Sequence, residues 1–304
     1  MLPLKVVNTT VKIGLEKPFK LFHITDSHLC RAYDNEDEKT VFLAERRDTE
    51  FTREKEGAPR VPGQSEYLLN EAVKYGKSIG ATFVFTGDIV DYISRSNYEY
   101  FKAILDQTDY IYAAGNHDFA SAELLYNVIN GIPNSVREDE TYKRAAIPSI
   151  MPYIKKNLFF ESRVINGVNL ITLDNSYNYI LAEQLELLRA EAAKGLPILL
   201  FMHNPLFTPE LAHSIMAGRP WDPCPYCAAI PDSFLPEISE RHRESMKSDS
   251  ITLEAAEFIK SEPLFKGVFV GHLHKNYENA LSDNLTQYVT GGTFWGHARE
   301  ITVV

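Results

Sequence analysis

The sequence predicts an α/β fold. Short apolar runs alternate with amphipathic helical patterns through most of the 304 residues. Several of the apolar runs lead into a glycine or a polar cluster, as strands do where they pass into loops. The composition, 44% apolar and 24% charged, is that of a globular chain able to bury a large core.

The elements follow in order. Residues 1–20 alternate apolar and polar side chains like a strand, without the continuous apolar stretch of a signal peptide. "PFKLFHIT" (18–25) reads as a buried strand ending at Asp26. Residues 65–80 read as a helix, with Ser65 as N-cap and Gly80 after its end. "TFVFTGD" (82–88) and "YIYAAGNHD" (110–118) are strands entering loops, on either side of a helix at 96–108. Residues 157–176 form two strands joined at Asn166-Gly167, a tight hairpin pair. A helix at 182–195 closes at Gly195, a strand at 196–205 reaches His203, and a helix at 250–263 stops at Pro263. "FKGVFVGHLH" (265–274) is a strand running into two histidines, and 284–304 suggests two more strands.

Two stretches break the pattern. Residues 31–64 are heavily charged and end in Gly and Pro, and 207–249 are rich in Pro and polar residues. Both are read as insertions in a single domain spanning 1–304. Both directly follow a candidate ligand, and loops in such places shape substrate choice. Their plainer reading is solvated surface.

Charge and cysteine content narrow the function. A net charge of −10 with no basic run argues against nucleic-acid binding. It also repels phosphorylated substrates at long range, so phosphate chemistry here requires strong local positive charge, which bound metal ions supply. No apolar run approaches the roughly 18 residues of a membrane span. Cys30, Cys224 and Cys227 make no disulfide framework, which points to a reducing, cytoplasmic setting. Cys224 and Cys227 have the spacing of half a zinc knuckle, but no second pair exists, and they are read as loop cysteines.

Five strand ends carry polar residues: Asp26 and His28 in "TDSHL", Asp88 in "TGDIV", Asn116, His117 and Asp118 in "GNHDF", His203 in "FMHNP", and His272 and His274 in "VGHLH". In an open α/β sheet, ligands bind beyond the carboxyl ends of the strands, so groups far apart in sequence can converge there. Imidazole, carboxylate and amide oxygen without thiolate suit Mn²⁺, Fe²⁺ or Zn²⁺. Seven candidates, Asp26, His28, Asp88, Asn116, His203, His272 and His274, exceed one tetrahedral ion and suit two. His23, His213, His242 and His297 stand outside these motifs and are read as surface or satisfied core residues.

The order of these motifs resembles the calcineurin-like metallophosphoesterases, whose series is Asp-x-His, Gly-Asp, Gly-Asn-His-Asp/Glu, a lone His, and Gly-His-x-His. The resemblance implies a four-layer αββα sandwich and a centre of two divalent metal ions. By motif, Asp26, His28 and His274 hold one ion, Asn116, His203 and His272 the other, and Asp88 bridges them. It implies catalytic roles for His117, acting on the leaving group, and for Asp118, orienting the His117 ring. A water shared by the ions would attack phosphorus as hydroxide. Glycines before Asp88 and Asn116 are expected to allow positive φ. "GDIVDY" departs from the protein serine/threonine phosphatases at Tyr92 and Ile93, where they carry Arg and Gly. Asp91 stands where purple acid phosphatases carry a tyrosine. The expected activity is hydrolysis of a phosphorylated small molecule or nucleotide, as a phosphodiesterase or small-molecule phosphatase. A non-catalytic scaffold of this fold, or a metallohydrolase of another ester class, are the alternatives. Arg31, Asn204 and Arg219 are candidates to touch phosphate, though Arg31 and Arg219 read more plainly as surface residues.

Overall fold

The computed structural model describes residues 2–51, 61–132 and 139–304. In chain order its strands are β1 (Lys5–Val11), β2 (Phe19–Ile24), β3 (Thr82–Phe85), β4 (Tyr110–Tyr112), β5 (Phe160–Ile165), β6 (Val168–Leu173), β7 (Ile198–Phe201), β8 (Phe265–Val270), β9 (Tyr277–Ser282), β10 (Leu285–Val289) and β11 (His297–Val303). The α-helices are α1 (Glu38–Phe51), α2 (Gln64–Ser78), α3 (Arg95–Leu105), α4 (Ala122–Ile129), α5 (Glu140–Ile150), α6 (Ala182–Ala192), α7 (Pro209–Met216), α8 (Glu240–Arg243) and α9 (Ser250–Ser261).

The strands form two sheets, ordered β1-β11-β2-β3-β4 and β5-β6-β7-β8-β10-β9. Side chains on a strand alternate between faces, and this alternation builds the layers. Leu21 and Val84 of the first sheet meet Leu199 and Phe201 of the second in a core between the sheets. Their neighbours Phe22, Phe83 and Phe85 point the other way, onto Leu69, Ala72 and Val73 of α2 and Phe101 of α3. Likewise Ile198 and Leu200 turn outward onto Leu185 and Leu188 of α6 and Ile259 of α9. The result is helix, sheet, sheet, helix: the four-layer αββα sandwich. β6, between β5 and β7, is buried at all six positions, its polar Asn169 and Thr172 included.

Within each sheet three successive neighbours run parallel: β2, β3 and β4 in one, β6, β7 and β8 in the other. Their carboxyl ends therefore lie on one edge of each sheet. Loops from both edges bond to one another: the His272 N–H donates to Asp26 Oδ2 at 2.9 Å, and the His203 ring meets the Thr86 carbonyl at 2.6 Å. The hairpin at Asn166-Gly167 joins β5 to β6 with φ of 47° and 83°, the paired positive values of a tight primed turn.

Three parts carry little sequence signal. The charged stretch 31–64 contains α1 and the first residue of α2, and its segment 52–60 lies outside the described residues. Residues 207–249 hold α7, α8 and a short 3-10 helix, Asp232–Glu237. β9 is a half-exposed edge strand beside β10, without a strong apolar pattern.

A buried guanidinium ties the sheets together. Arg299 on β11 is fully buried and reaches the second sheet: Nη1 meets Glu278 on β9 at 2.7 Å, Nη2 donates to the Val289 carbonyl at 3.1 Å, and Nε to Thr290 at 3.1 Å. Replacing it by methionine fills most of the volume but strands those acceptors. Arg299→Met is expected to cost about 2–4 kcal/mol of stability, read by urea denaturation.

Candidate metal centre

The backbone at the strand ends is bent into the left-handed region at the positions that carry the motif side chains. Asp26, His28, Asp88, His272 and His274 have φ between 46° and 68°. Non-glycine residues rarely adopt this conformation, and it costs on the order of 1 kcal/mol or more each, so its concentration here marks a site held by its surroundings. The glycines work in two ways. Gly87 has φ of 87°, as expected before Asp88. Gly115 is not in the positive-φ region: a Cβ there would overlap the Asp88 carboxylate, so its need is close approach rather than backbone freedom.

Hydrogen bonds fix which ring nitrogens face inward. The Thr86 carbonyl accepts a hydrogen bond from His203 Nδ1 at 2.6 Å, turning His203 Nε2 inward, 3.1 Å from His272 Nδ1 and 3.2 Å from Asp88 Oδ2. The Asp91 carboxylate accepts a hydrogen bond from His28 Nδ1 at 2.9 Å, leaving His28 Nε2 3.1 Å from His274 Nε2. His274 Nε2 is in turn 3.2 Å from Asp26 Oδ1, and His28 Nε2 is 3.8 Å from Asp88 Oδ2. Three donor groups thus overlap: Asp26, His28 and His274; His28, Asp88 and His117; Asp88, His203 and His272, each with its donor atoms within 4.8 Å of one another.

This arrangement fits divalent cations. Imidazole lone pairs facing each other at 3.1 Å beside carboxylates repel unless a proton or a cation lies between them. Asp26 Oδ1 and Asn116 Oδ1 are buried without a hydrogen-bond donor, as ligand oxygens would be. Burial pushes the His28 pKa down to about 4 and that of His272 to about 3. Burial also opposes charge on His203, but the Asp88 carboxylate overrides it and raises the ring to about 9. An ion bound at His203 has to displace that proton.

The partner of the His117 ring differs from the sequence expectation. His117 lies on a one-turn 3-10 helix, with its Nδ1 2.9 Å from the Asp91 carbonyl and 3.1 Å from the Asp91 carboxylate. Burial acts to lower its pKa, and the Asp88 and Asp91 charges raise it to about 10. Asp118 does not touch the ring. Its carboxylate accepts from the backbone N–H groups of Asp88 at 2.9 Å, Gly115 at 2.8 Å, Ile89 at 3.1 Å and Val90 at 3.3 Å. It staples the Asp88 loop to the Asn116 loop, and Asp91 is the residue that orients His117. The reason is local: neighbours on a single helical turn point about 100° or more apart, so Asp118 faces away from its neighbour's ring.

Asp91 is the residue the sequence reading missed. It follows Asp88 by three, which was its only signal. Arg47 of α1 grips it with two bonds, Nε at 2.6 Å and Nη2 at 2.9 Å. Of the three candidates for phosphate contact, Arg31 pairs with Glu66 and lies over the Tyr100 ring, away from the centre. Asn204 is buried in a network with Asn175 and Asn178. Arg219 lines the cavity that opens beside the centre, together with Asp88, Asn116, His117, His272 and His274. The four histidines outside the motifs have partners elsewhere: His23 with Thr86 and Thr290, His213 with Glu237, His242 with Asp222 and His297 with Asn276. Cys224 and Cys227 are buried in the core under the insertion, and burial pushes both thiols up.

Among the described residues no helix is long and apolar enough to cross a membrane. The backbone is similar to that of a dimetal phosphatase from Danio rerio, at 16% identity over 91% of this chain and 88% of that one, with a TM-score of 0.50. It is also similar to a 5'-nucleotidase from Candida albicans, at 13% identity over 97% of this chain and 47% of that one, with a TM-score of 0.41. No curated protein matches it in sequence. Residues 19–276 match the family model of the calcineurin-like phosphoesterases, and the site at those strand ends is built of divalent-metal donors. The chain belongs to the calcineurin-like phosphoesterase family, as a hydrolase of phosphoric ester bonds.

Proposed function

We propose that this chain hydrolyses a small-molecule phosphate ester, using two divalent ions drawn from Mn²⁺, Fe²⁺ and Zn²⁺. The observation that carries the reading is the overlap of three donor groups at His28 and Asp88. Asp26, His28 and His274 would hold one ion and Asn116, His203 and His272 the other, with the Asp88 carboxylate available to either. When bound, the ions supply positive charge for the phosphoryl oxygens and lower the pKa of water at the site. The protein's own groups do the rest. The Thr86 carbonyl and Asp91 carboxylate keep the ligand lone pairs turned inward. Asp118 holds the Asp88 and Gly115 backbones in register. His117 is open on one edge to the cavity, with Nδ1 fixed by Asp91, so its Nε2 delivers a proton to the departing oxygen.

The cavity, about 570 Å³, accommodates a small molecule. A panel of p-nitrophenyl phosphate, bis-p-nitrophenyl phosphate and cyclic nucleotides, with added Mn²⁺, tests the activity and separates monoester from diester hydrolysis. Turnover that disappears on chelation and returns with Mn²⁺ is expected. No turnover of any member with metal bound refutes the reading.

Two variants separate the roles. His117→Ala is expected to keep its metal content by elemental analysis while kcat falls about 10²–10⁴-fold. Loss of the metals in that variant counts against its role as proton donor. Asp91→Ala releases both His28 and His117, so Mn²⁺ affinity by calorimetry is expected to drop about 10–100-fold together with kcat.

A further inference from the structure

The cavity beside the centre has a wall that the metal donors do not account for. Ser214, Ile215, Gly218, Arg219 and Tyr226 come from the 207–249 insertion, and Lys275 follows directly after His274. Lys275 Nζ donates to Ser214 Oγ at 3.0 Å, which fixes the ammonium group against α7. The Arg219 guanidinium carbon sits 6.0 Å from the centroid of the Tyr226 ring. No carboxylate of the described residues lies within 4.0 Å of either cation. Asp222, three residues beyond Arg219, is turned to Ser239 at 2.7 Å and His242 at 3.1 Å. Arg47, Arg144, Arg163, Arg189 and Arg299 each pair with an acidic side chain, while Arg95 bonds Asn35 and Arg243 bonds the Leu235 and Ile238 carbonyls; what sets Arg219 and Lys275 apart is that both line the cavity beside the centre.

Two cations without a protein counterion, lining one cavity of a chain with a net charge of −10, form a local field that favours an anion. The charge of the reacting phosphate is met by the ions at the centre. Arg219 and Lys275 are therefore surplus to a singly phosphorylated, otherwise neutral substrate. Ile215, Leu273 and the Tyr226 ring supply apolar surface on the same wall.

We propose that Arg219 and Lys275 form a second anion subsite, and that the substrate is a phosphate ester bearing a further negatively charged group, a carboxylate or another phosphoryl group. This rests on the phosphoesterase reading of the centre. It makes 207–249 a specificity element rather than solvated surface.

Non-hydrolysable phosphonates test it in binding. Alkylphosphonates and ω-carboxyalkylphosphonates with two to five methylenes differ only in the terminal charge. Calorimetry on the Mn²⁺-loaded protein reads the ratio of the two Kd values at each length. At the best length the carboxylated ligand is expected to bind about 5–10-fold tighter, the gain of a charge-assisted contact at a partly exposed site. In Arg219→Ala and Lys275→Ala the ratio falls, and in the double variant it is expected to approach one. A ratio near one in the wild type at every length, or one retained in the double variant, overturns the subsite. Turnover of p-nitrophenyl phosphate, measured in parallel, keeps the two ideas apart. Turnover with a ratio of one removes the subsite alone. A charge-dependent ratio without turnover of any phosphate ester keeps the subsite and removes the phosphoesterase reading.

Discussion

The burial of Asp26, Asp88 and Asp91 within reach of one another is the constraint on which the centre depends. Isolated carboxylates away from water are costly, and each must find a cation, a proton or a set of N–H donors. Asp91 finds Arg47 and two imidazoles. Asp88 accepts the His117 N–H and faces His203, and Asp26 accepts from Thr25 and the His272 N–H. What these partners leave unsatisfied, Asp26 Oδ1 above all, is coordinating capacity pointed at a cation. The left-handed backbone at Asp26, His28, Asp88, His272 and His274 is maintained against its own preference because strands on both sheets hold the loops in place.

The centre was legible in the sequence because its ligands are local to strand ends. A parallel strand aims whatever follows its last apolar residue at the same edge, so "TGD", "GNHD" and "GHLH" reveal direction as well as chemistry. The four layers were implied by the family resemblance, and the structure shows how the strands build them. Alternation within "FKLFHI" and "ILLF" divides each strand between the central core and an outer helix layer.

What sequence could not supply was orientation over one residue and pairing over many. Asp118 adjoins His117 in the chain and faces away from it, while Asp91, 26 residues earlier, meets the ring through both its carbonyl and its carboxylate. Gly115 has the same place in its motif as Gly87 but serves close approach instead of positive φ. Neither distinction has a signature in composition or spacing. α1 was hidden differently, since a helix whose polar face carries most of its charge reads as a solvated insertion until its one inward arginine is located.

The two insertions act on the centre from opposite sides of its charge balance. Through Arg47, α1 compensates the charge of the Asp91 carboxylate, which also meets the His28 and His117 rings. Were Asp91 uncompensated, its charge would add to those of Asp26 and Asp88 and bind protons more tightly on His28 and His117, opposing both metal loading and proton transfer. The 207–249 stretch works at the cavity, where its own Arg219 lies without a carboxylate partner on the same wall as Lys275. Positive charge placed behind a carboxylate tunes the groups already in the site, whereas positive charge placed on an open wall selects what enters it.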